Sequence, residues 1–229
     1  MDNQNILIII PCFNEQESIE QLLLEIKELN AGYFTVVIDD GSTDNTFEKA
    51  VKLSPTIKLL KNLGIGGAVQ TGIKYAADNH FDFCVQIDGD GQHPPSEIAK
   101  LLKAYKDKPA SLIIGSRYIA NNSFRSTFAR RSGTKIIACA LNSLFKTCNI
   151  TDSTSGMRLM DREAIAFFSS SYPHDFPEPI SIAWGLRAGL TVGECAVQMR
   201  PRSGGTSSIS GFKQLAYMLR VLGYIVLAI

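Results

Sequence analysis

Phe83-Cys84-Val85-Gln86-Ile87-Asp88-Gly89-Asp90-Gly91-Gln92-His93-Pro94-Pro95 is the stretch from which the rest of the chain can be read. Its first five residues, apolar except for Gln86, are a short run of the kind that makes a buried strand. The run ends in two carboxylates separated by one small residue, with an amide oxygen two positions further on. Asp88, Asp90 and Gln92 can converge on a hard divalent cation that keeps positions open for substrate phosphates. The competing explanation is an Asp-Gly surface turn; the double proline fixing the exit favours the metal. No acidic residue stands at the twelfth loop position, which excludes an EF-hand. His93 reads as structural or solvent-facing rather than as a ligand.

On both sides of this stretch, apolar runs alternate with helix-patterned segments. Strands are predicted over residues 7–10, 35–38, 57–60, 83–87 and 111–114. Helices are predicted over 18–29, 46–53, 66–79 and 95–105. Such alternation predicts an α/β fold, a mostly parallel sheet covered on both faces by helices. Ligands in these sheets bind beyond the carboxyl ends of the strands. The polar motifs sit at those ends: Pro11 to Glu15, Asp39 to Asp44, and Asp88 to Gln92. A carboxylate such as Asp40 can accept from a base or ribose, while Ser42 to Asp44 can cap the following helix. Phe13 and Glu15 suit either a nucleotide contact or a helix N-terminus. Asn62-Leu63-Gly64-Ile65-Gly66-Gly67-Ala68 lacks the Gly-Lys-Ser/Thr of a phosphate loop and predicts tight helix–strand packing.

Beyond residue 114 the pattern loosens. Helices are expected over 130–144 and 161–168, a loop over the proline-rich 171–179, a helix ending over 184–189 and a strand over 191–198. A Gly/Ser-rich loop is expected over 200–211. The net charge of +1 hides an asymmetry. Residues 1–114 hold 10 lysines against 16 acidic residues, and all ten arginines lie in the remainder. Arginine offers a planar fork for phosphate or carboxylate. Arg117, Arg130, Arg131, Arg158, Arg200 and Arg202 punctuate Gly/Ser segments rather than helix faces. An acidic half and an arginine half fit an enzyme holding a metal on one side and phosphates on the other.

Composition narrows the class further. Hydrophobic residues make up 45% and charged residues 20%, the balance of a globular protein with a real core. Five dispersed cysteines without a Cys-x-x-Cys give neither a zinc knuckle nor a disulfide framework. The start lacks signal-peptide character, so a reducing, cytosolic compartment is expected. No nucleic-acid partner is expected.

In order, the strings PCFNE, VIDDGSTD, NLGIGGA, QIDGDGQHPP, GSRY, DSTSGMR and RPRSGGTSS resemble a family 2 glycosyltransferase of the GT-A type. The likeness is strongest to the dolichyl-phosphate mannose synthases and bacterial polyprenyl-phosphate glycosyltransferases, and covers roughly residues 6–211. The resemblance implies that Pro11, Phe13, Glu15, Asp40 and Asp88 contact the nucleotide of a nucleotide-diphosphate sugar. It implies that Asp88, Asp90 and Gln92 hold Mg2+ or Mn2+. Arg117 and Arg131 would grip an acceptor phosphate and Arg202 the donor diphosphate, so that Asp90, Arg117, Arg131 and Arg202 carry the catalysis. Residues 1–211 would form the catalytic domain, with the nucleotide part over about 1–114 and the acceptor part over 115–211.

A phosphate acceptor is already anionic and needs no general base, whereas a hydroxyl acceptor does. The chain has no Glu-Asp pair, such as hydroxyl-transferring relatives carry; Glu178, Asp152 and Asp175 are the bases left for a sugar hydroxyl of a lipid-linked glycan. A sugar nucleotidyltransferase and a catalytically silent binding module are the more distant alternatives. Residues 212–229 read as a membrane-proximal helix, either interfacial or a truncated anchor. Only the last nine are uncharged, against about 20 needed to span a bilayer. Docking of this helix on the core or on a second subunit is the competing explanation. The expected location is the cytoplasmic face of a membrane, peripheral or anchored, with a homo-oligomer as a further expectation.

Overall fold

The computed structural model describes residues 5–119, 128–146, 149–200 and 212–227. Seven strands form one sheet in the order β3-β2-β1-β4-β6-β5-β7. They are β1 (Ile6–Cys12), β2 (Phe34–Asp39), β3 (Thr56–Lys58), β4 (Phe83–Gln86), β5 (Leu112–Ser116), β6 (Arg158–Asp161) and β7 (Val192–Ala196). Every pairing is parallel except those of β6, which runs antiparallel to both β4 and β5. The predicted α/β sheet is therefore present, and β6 was not foreseen. It opens with Arg158, and its four residues show no alternation that sets them apart from the polar loop before them.

The helices are α1 (Ile19–Glu28), α2 (Thr46–Ala50), α3 (Gly64–Asp78), α4 (Ile98–Asp107), α5 (Phe128–Leu144), α6 (Arg162–Ser170), α7 (Pro177–Arg187) and α8 (Phe212–Leu227). A 3-10 turn, Pro95–Glu97, leads into α4. Strand alternation sends side chains to two cores. Leu7 and Ile9 of β1 pack with residues of α3, α5, α6, α7 and α8. Ile6, Ile8 and Ile10 pack on the other face with the apolar stripes of α1 and α4. The proline-rich segment expected as a loop instead starts α7 at Pro177. Phe176 before it is left-handed (φ 49°), and proline at the first helical position gives up only an N–H that would have no partner in the helix.

Residues 212–227 do form a helix, and it lies on the body. Val221 and Ile225 are fully buried in the core shared with α5 and α7. The Arg187 guanidinium donates to the carbonyls of Ile225 (3.3 Å) and Val226 (3.4 Å) near the helix end, where a cation meets the negative end of the helix dipole. Tyr224, Val226 and Arg220 face outward. Among the described residues, no helix is long and apolar enough to cross a membrane.

Candidate active site

The parallel strands β1, β2, β4 and β5 all end at one edge of the sheet, and β6, running the other way, begins there. Its leader, residues 152–157, is thus delivered to the same edge. Cys12 pairs with Asp39, and Arg158 pairs with both Gln86 and Ile114.

A cleft of about 420 Å³ opens over this edge. Pro11, Phe13, Glu15, Asp40, Asp88 and Asp90, all named from the sequence, line it. Asn62, Gly64, Ile65 and Ala68 line it as well; the glycine-rich segment, expected only to pack, is a wall of the cleft. Gly66 keeps the packing role, because a Cβ there would collide with the carbonyls of Pro173 and His174. Asp40 accepts the Leu63 N–H at 2.7 Å. Burial raises its carboxyl above the ordinary range, and the backbone donors of Leu63 and Gly64 oppose that. Ser42 to Asp44 do more than cap. Ser42 Oγ accepts from the Asn14 N–H (2.9 Å), the Thr43 N–H donates to Asn14 Oδ1 (2.9 Å), and Asp44 accepts from Gln16 N (3.2 Å) and Thr46 N (2.9 Å). The loops after β1 and β2 are laced together, which fixes Phe13 and Glu15 beside Asp40.

Asp88 and Asp90 supply hard oxygens to one side of the cleft. Asp90 Oδ1 accepts the Gln92 N–H at 3.0 Å, and Gly91 between them takes a left-handed φ of +73°. Gln92 does not line the cleft. Its side-chain amide donates to the Arg200 carbonyl (3.3 Å) and its own carbonyl accepts the Arg200 N–H (2.9 Å). Among the described residues no three of His, Cys, Asp and Glu gather as a metal cage. Two carboxylates beside an open cleft fit a cation that takes most of its ligands from water or substrate oxygens. His93 is buried, and its Nδ1 accepts the Asp88 N–H at 3.3 Å, a structural place as expected.

Arg117 follows β5 and is buried. Its Nε and Nη2 donate to the two oxygens of Asp152, each at 2.6 Å, and Nη2 also donates to Thr154 Oγ1 at 2.8 Å. Burial works against the guanidinium charge, and Asp152 overrides it and raises the pKa. Glu194 on β7 accepts from the backbone N–H groups of Thr151 (2.9 Å) and Asp152 (2.8 Å). Asp152 is therefore engaged and not free to serve as a base, whereas Asp175 is exposed. Arg158, expected on loop-like ground, is 1% exposed. It donates to the carbonyls of Ser155 (2.9 Å) and Glu178 (2.8 Å) and to Ser181 Oγ (2.7 Å), fastening the loop to α7.

Arg131, expected on a Gly/Ser segment, stands instead in α5; it is exposed and lies 5.8 Å from the ring centre of Tyr118, and Arg117 lies 5.5 Å from the same ring. A groove of about 920 Å³ runs along α5 from Tyr118 and Arg131 past Lys135 and Cys139 to Asn142, closed on one side by Asn149 to Thr151. Arg202 lies outside the described residues, as do residues 120–127.

Comparison with known proteins places these observations. The family model "Glycosyl transferase family 2" matches residues 7–167. The chain is 27% identical to a UDP-N-acetylglucosamine–dolichyl-phosphate N-acetylglucosaminyltransferase of Methanococcus voltae, over 97% of each. It is 28% identical to a polyprenol monophosphomannose synthase of Mycolicibacterium smegmatis, over 95% of this chain and 86% of that one. Its fold matches that of the glucosyl-3-phosphoglycerate synthase of Mycobacterium tuberculosis, solved with Mn2+, uridine diphosphate and glucosyl-3-phosphoglycerate. That match has a TM-score of 0.72 at 19% identity, over 99% of this chain and 80% of the other.

Proposed function

The chain belongs to glycosyl transferase family 2, and on that premise we propose that it moves a sugar, with inversion, from a nucleotide-diphosphate sugar to a polyprenyl phosphate. One observation carries the choice of acceptor. The groove along α5 is lined by Arg131 and Lys135 and, among the described residues, by no carboxylate. A phosphate nucleophile needs cations to position it and no base to activate it. The names of two relatives, a dolichyl-phosphate N-acetylglucosaminyltransferase and a polyprenol monophosphomannose synthase, point the same way.

In this reading Pro11, Phe13, Glu15 and Asp40 hold the nucleotide in the cleft. Asp88 and Asp90 would hold Mg2+ or Mn2+, which would neutralise charge on a departing diphosphate; Gln92, expected from the sequence as a third oxygen donor, is outside the cleft with its amide on the Arg200 carbonyl. Arg202 would reach the same diphosphate. Arg131 holds the acceptor phosphate, with Lys135 beside it in the groove; Arg117, buried and neutralised by Asp152, backs Tyr118, whose ring Arg131 also faces. An acceptor oxygen attacks the anomeric carbon opposite the diphosphate. The new C–O bond forms as the bond to the diphosphate breaks, the nucleoside diphosphate leaves, and configuration inverts. The exposed Tyr224, Val226 and Arg220 of α8 suit contact with the cytoplasmic surface of the membrane that holds such a lipid.

A second reading rests on Glu178, in the first turn of α7. Burial raises its carboxyl, and it feels the charges of Arg158, Asp88 and Arg117. It would be the base if the acceptor were a sugar hydroxyl on a lipid-linked glycan. Radiolabelled UDP- and GDP-sugars, offered with polyprenyl phosphate or with a lipid-linked glycan, separate the two. The expected product is a lipid sugar joined through one phosphate. Arg131→Ala should cut its formation about 100-fold or more, in line with about 3 kcal/mol for a charged hydrogen bond, while nucleoside diphosphate affinity is kept. Transfer only to the glycan, abolished by Glu178→Gln, would instead establish the second reading.

A further inference from the structure

Gly156 is not among the glycines with a left-handed backbone, so conformational freedom does not explain it. Space does. A Cβ placed on it would stand 2.5 and 2.6 Å from the carboxylate oxygens of Asp88 and 2.8 Å from its Cγ. These are well inside van der Waals contact, so the Asp88 carboxylate rests directly on the bare α-carbon of Gly156.

The carboxylate has little room elsewhere. His93 lies against it, with Nδ1 3.6 Å from Asp88 Oδ2. Gly89, next in the chain, is itself confined, because a Cβ there would run into the Cys12 sulfur and stand 3.2 Å from the Pro11 carbonyl. The seat is held from behind. The Gly115 N–H donates to the Met157 carbonyl (2.9 Å), and Arg158 Nε to the Ser155 carbonyl (2.9 Å). The same short loop braces Arg117 through Asp152 at its other end.

We infer that Gly156 is a positioning residue for Asp88, and that the loop from Asp152 to Gly156 is a strut setting the spacing between the Arg117 guanidinium and the metal-side carboxylate. The inference rests on the reading of Asp88 as a metal ligand given above. The backbone at position 156 is not left-handed, and what a methyl group there meets first is Asp88.

The test compares wild type, Gly156→Ala, Asp88→Ala and the double variant in the full chain. Uptake of Mn2+ alone is followed by the electron paramagnetic resonance of the unbound ion, and folding by thermal melting. Displacing a supporting partner of a ligand weakens metal binding about 10- to 100-fold. Gly156→Ala should therefore need at least about tenfold more Mn2+ for half-saturation, and the double variant should bind no worse than Asp88→Ala alone. Any loss of melting temperature caused by Gly156→Ala should vanish in the Asp88→Ala background, where the colliding carboxylate is gone. Unchanged Mn2+ affinity in Gly156→Ala, or an equal melting penalty in both backgrounds, overturns the inference. Wild type that takes up no Mn2+ overturns the metal reading instead, and the melting comparison still judges the seat by itself.

Discussion

Glu178 shows how much one side chain can report. Its folded carboxyl is raised above the ordinary 4.5 by burial, against the pull of Arg158. The folded protein therefore holds that proton more tightly than the unfolded chain does. Stability is lost as pH climbs from about the unfolded value through the folded one. Glu178→Gln cannot ionise, so it should melt higher than wild type at neutral pH, with a margin that narrows and closes as pH falls to about 4. Melting curves across pH 4–8 check this, and a pH-independent difference would contradict it. Residues whose own chemistry marks them were legible in the sequence: Asp40, Asp88, Asp90, Phe13 and Glu15 all reach the cleft. The Arg117–Asp152 pair spans 35 positions and leaves no local pattern. Gly156 is silent for a different reason, since its contribution is the absence of atoms.

Elements with a strong period were found within a few residues of their true ends. The misses are β6, too short and too polar at its start, and the beginning of α7, where three prolines resembled a loop. Tertiary packing decided both. The same holds for α8, whose apolar content suggested a membrane surface but did not say which side faces the core. Ile225 is buried while Tyr224 and Val226 are exposed. Ile225→Ala should therefore destabilise the fold by about 2–5 kcal/mol in urea unfolding. The pair Tyr224→Ser and Val226→Ser should leave stability within about 0.5 kcal/mol and lower binding to anionic liposomes in sedimentation. If the pair unfolds the protein and spares liposome binding, the outward face of α8 is packing surface.

At the scale of the whole molecule, the acidic and arginine-rich halves of the chain share one sheet and meet at one edge. The charge asymmetry was legible from counting; the reversal of β6 that brings the halves together was not. If the Asp88–Asp90 side of the cleft works through a divalent cation, chelation should abolish sugar transfer, and Mn2+ should restore it. The shift in melting temperature given by a nucleoside diphosphate should likewise shrink in EDTA. Full activity in excess EDTA would remove the cation from the mechanism.

The strand order also has a consequence for how the chain is made. The strands β1 to β4 pair only with one another until β6 arrives, so that half of the sheet can close on the emerging polypeptide once Gln86 is out. β5 is different. Its hydrogen-bonded neighbours are β6 and β7, both synthesised later, and it must wait without a partner while more than forty further residues, about 20% of the chain, are added. By strand order, the half of the sheet that carries the cleft can therefore be paired first. Asp88 then stands on a half-finished sheet without the Gly156 contact until the loop before β6 is made, and the sheet is complete only when β7 closes the far edge.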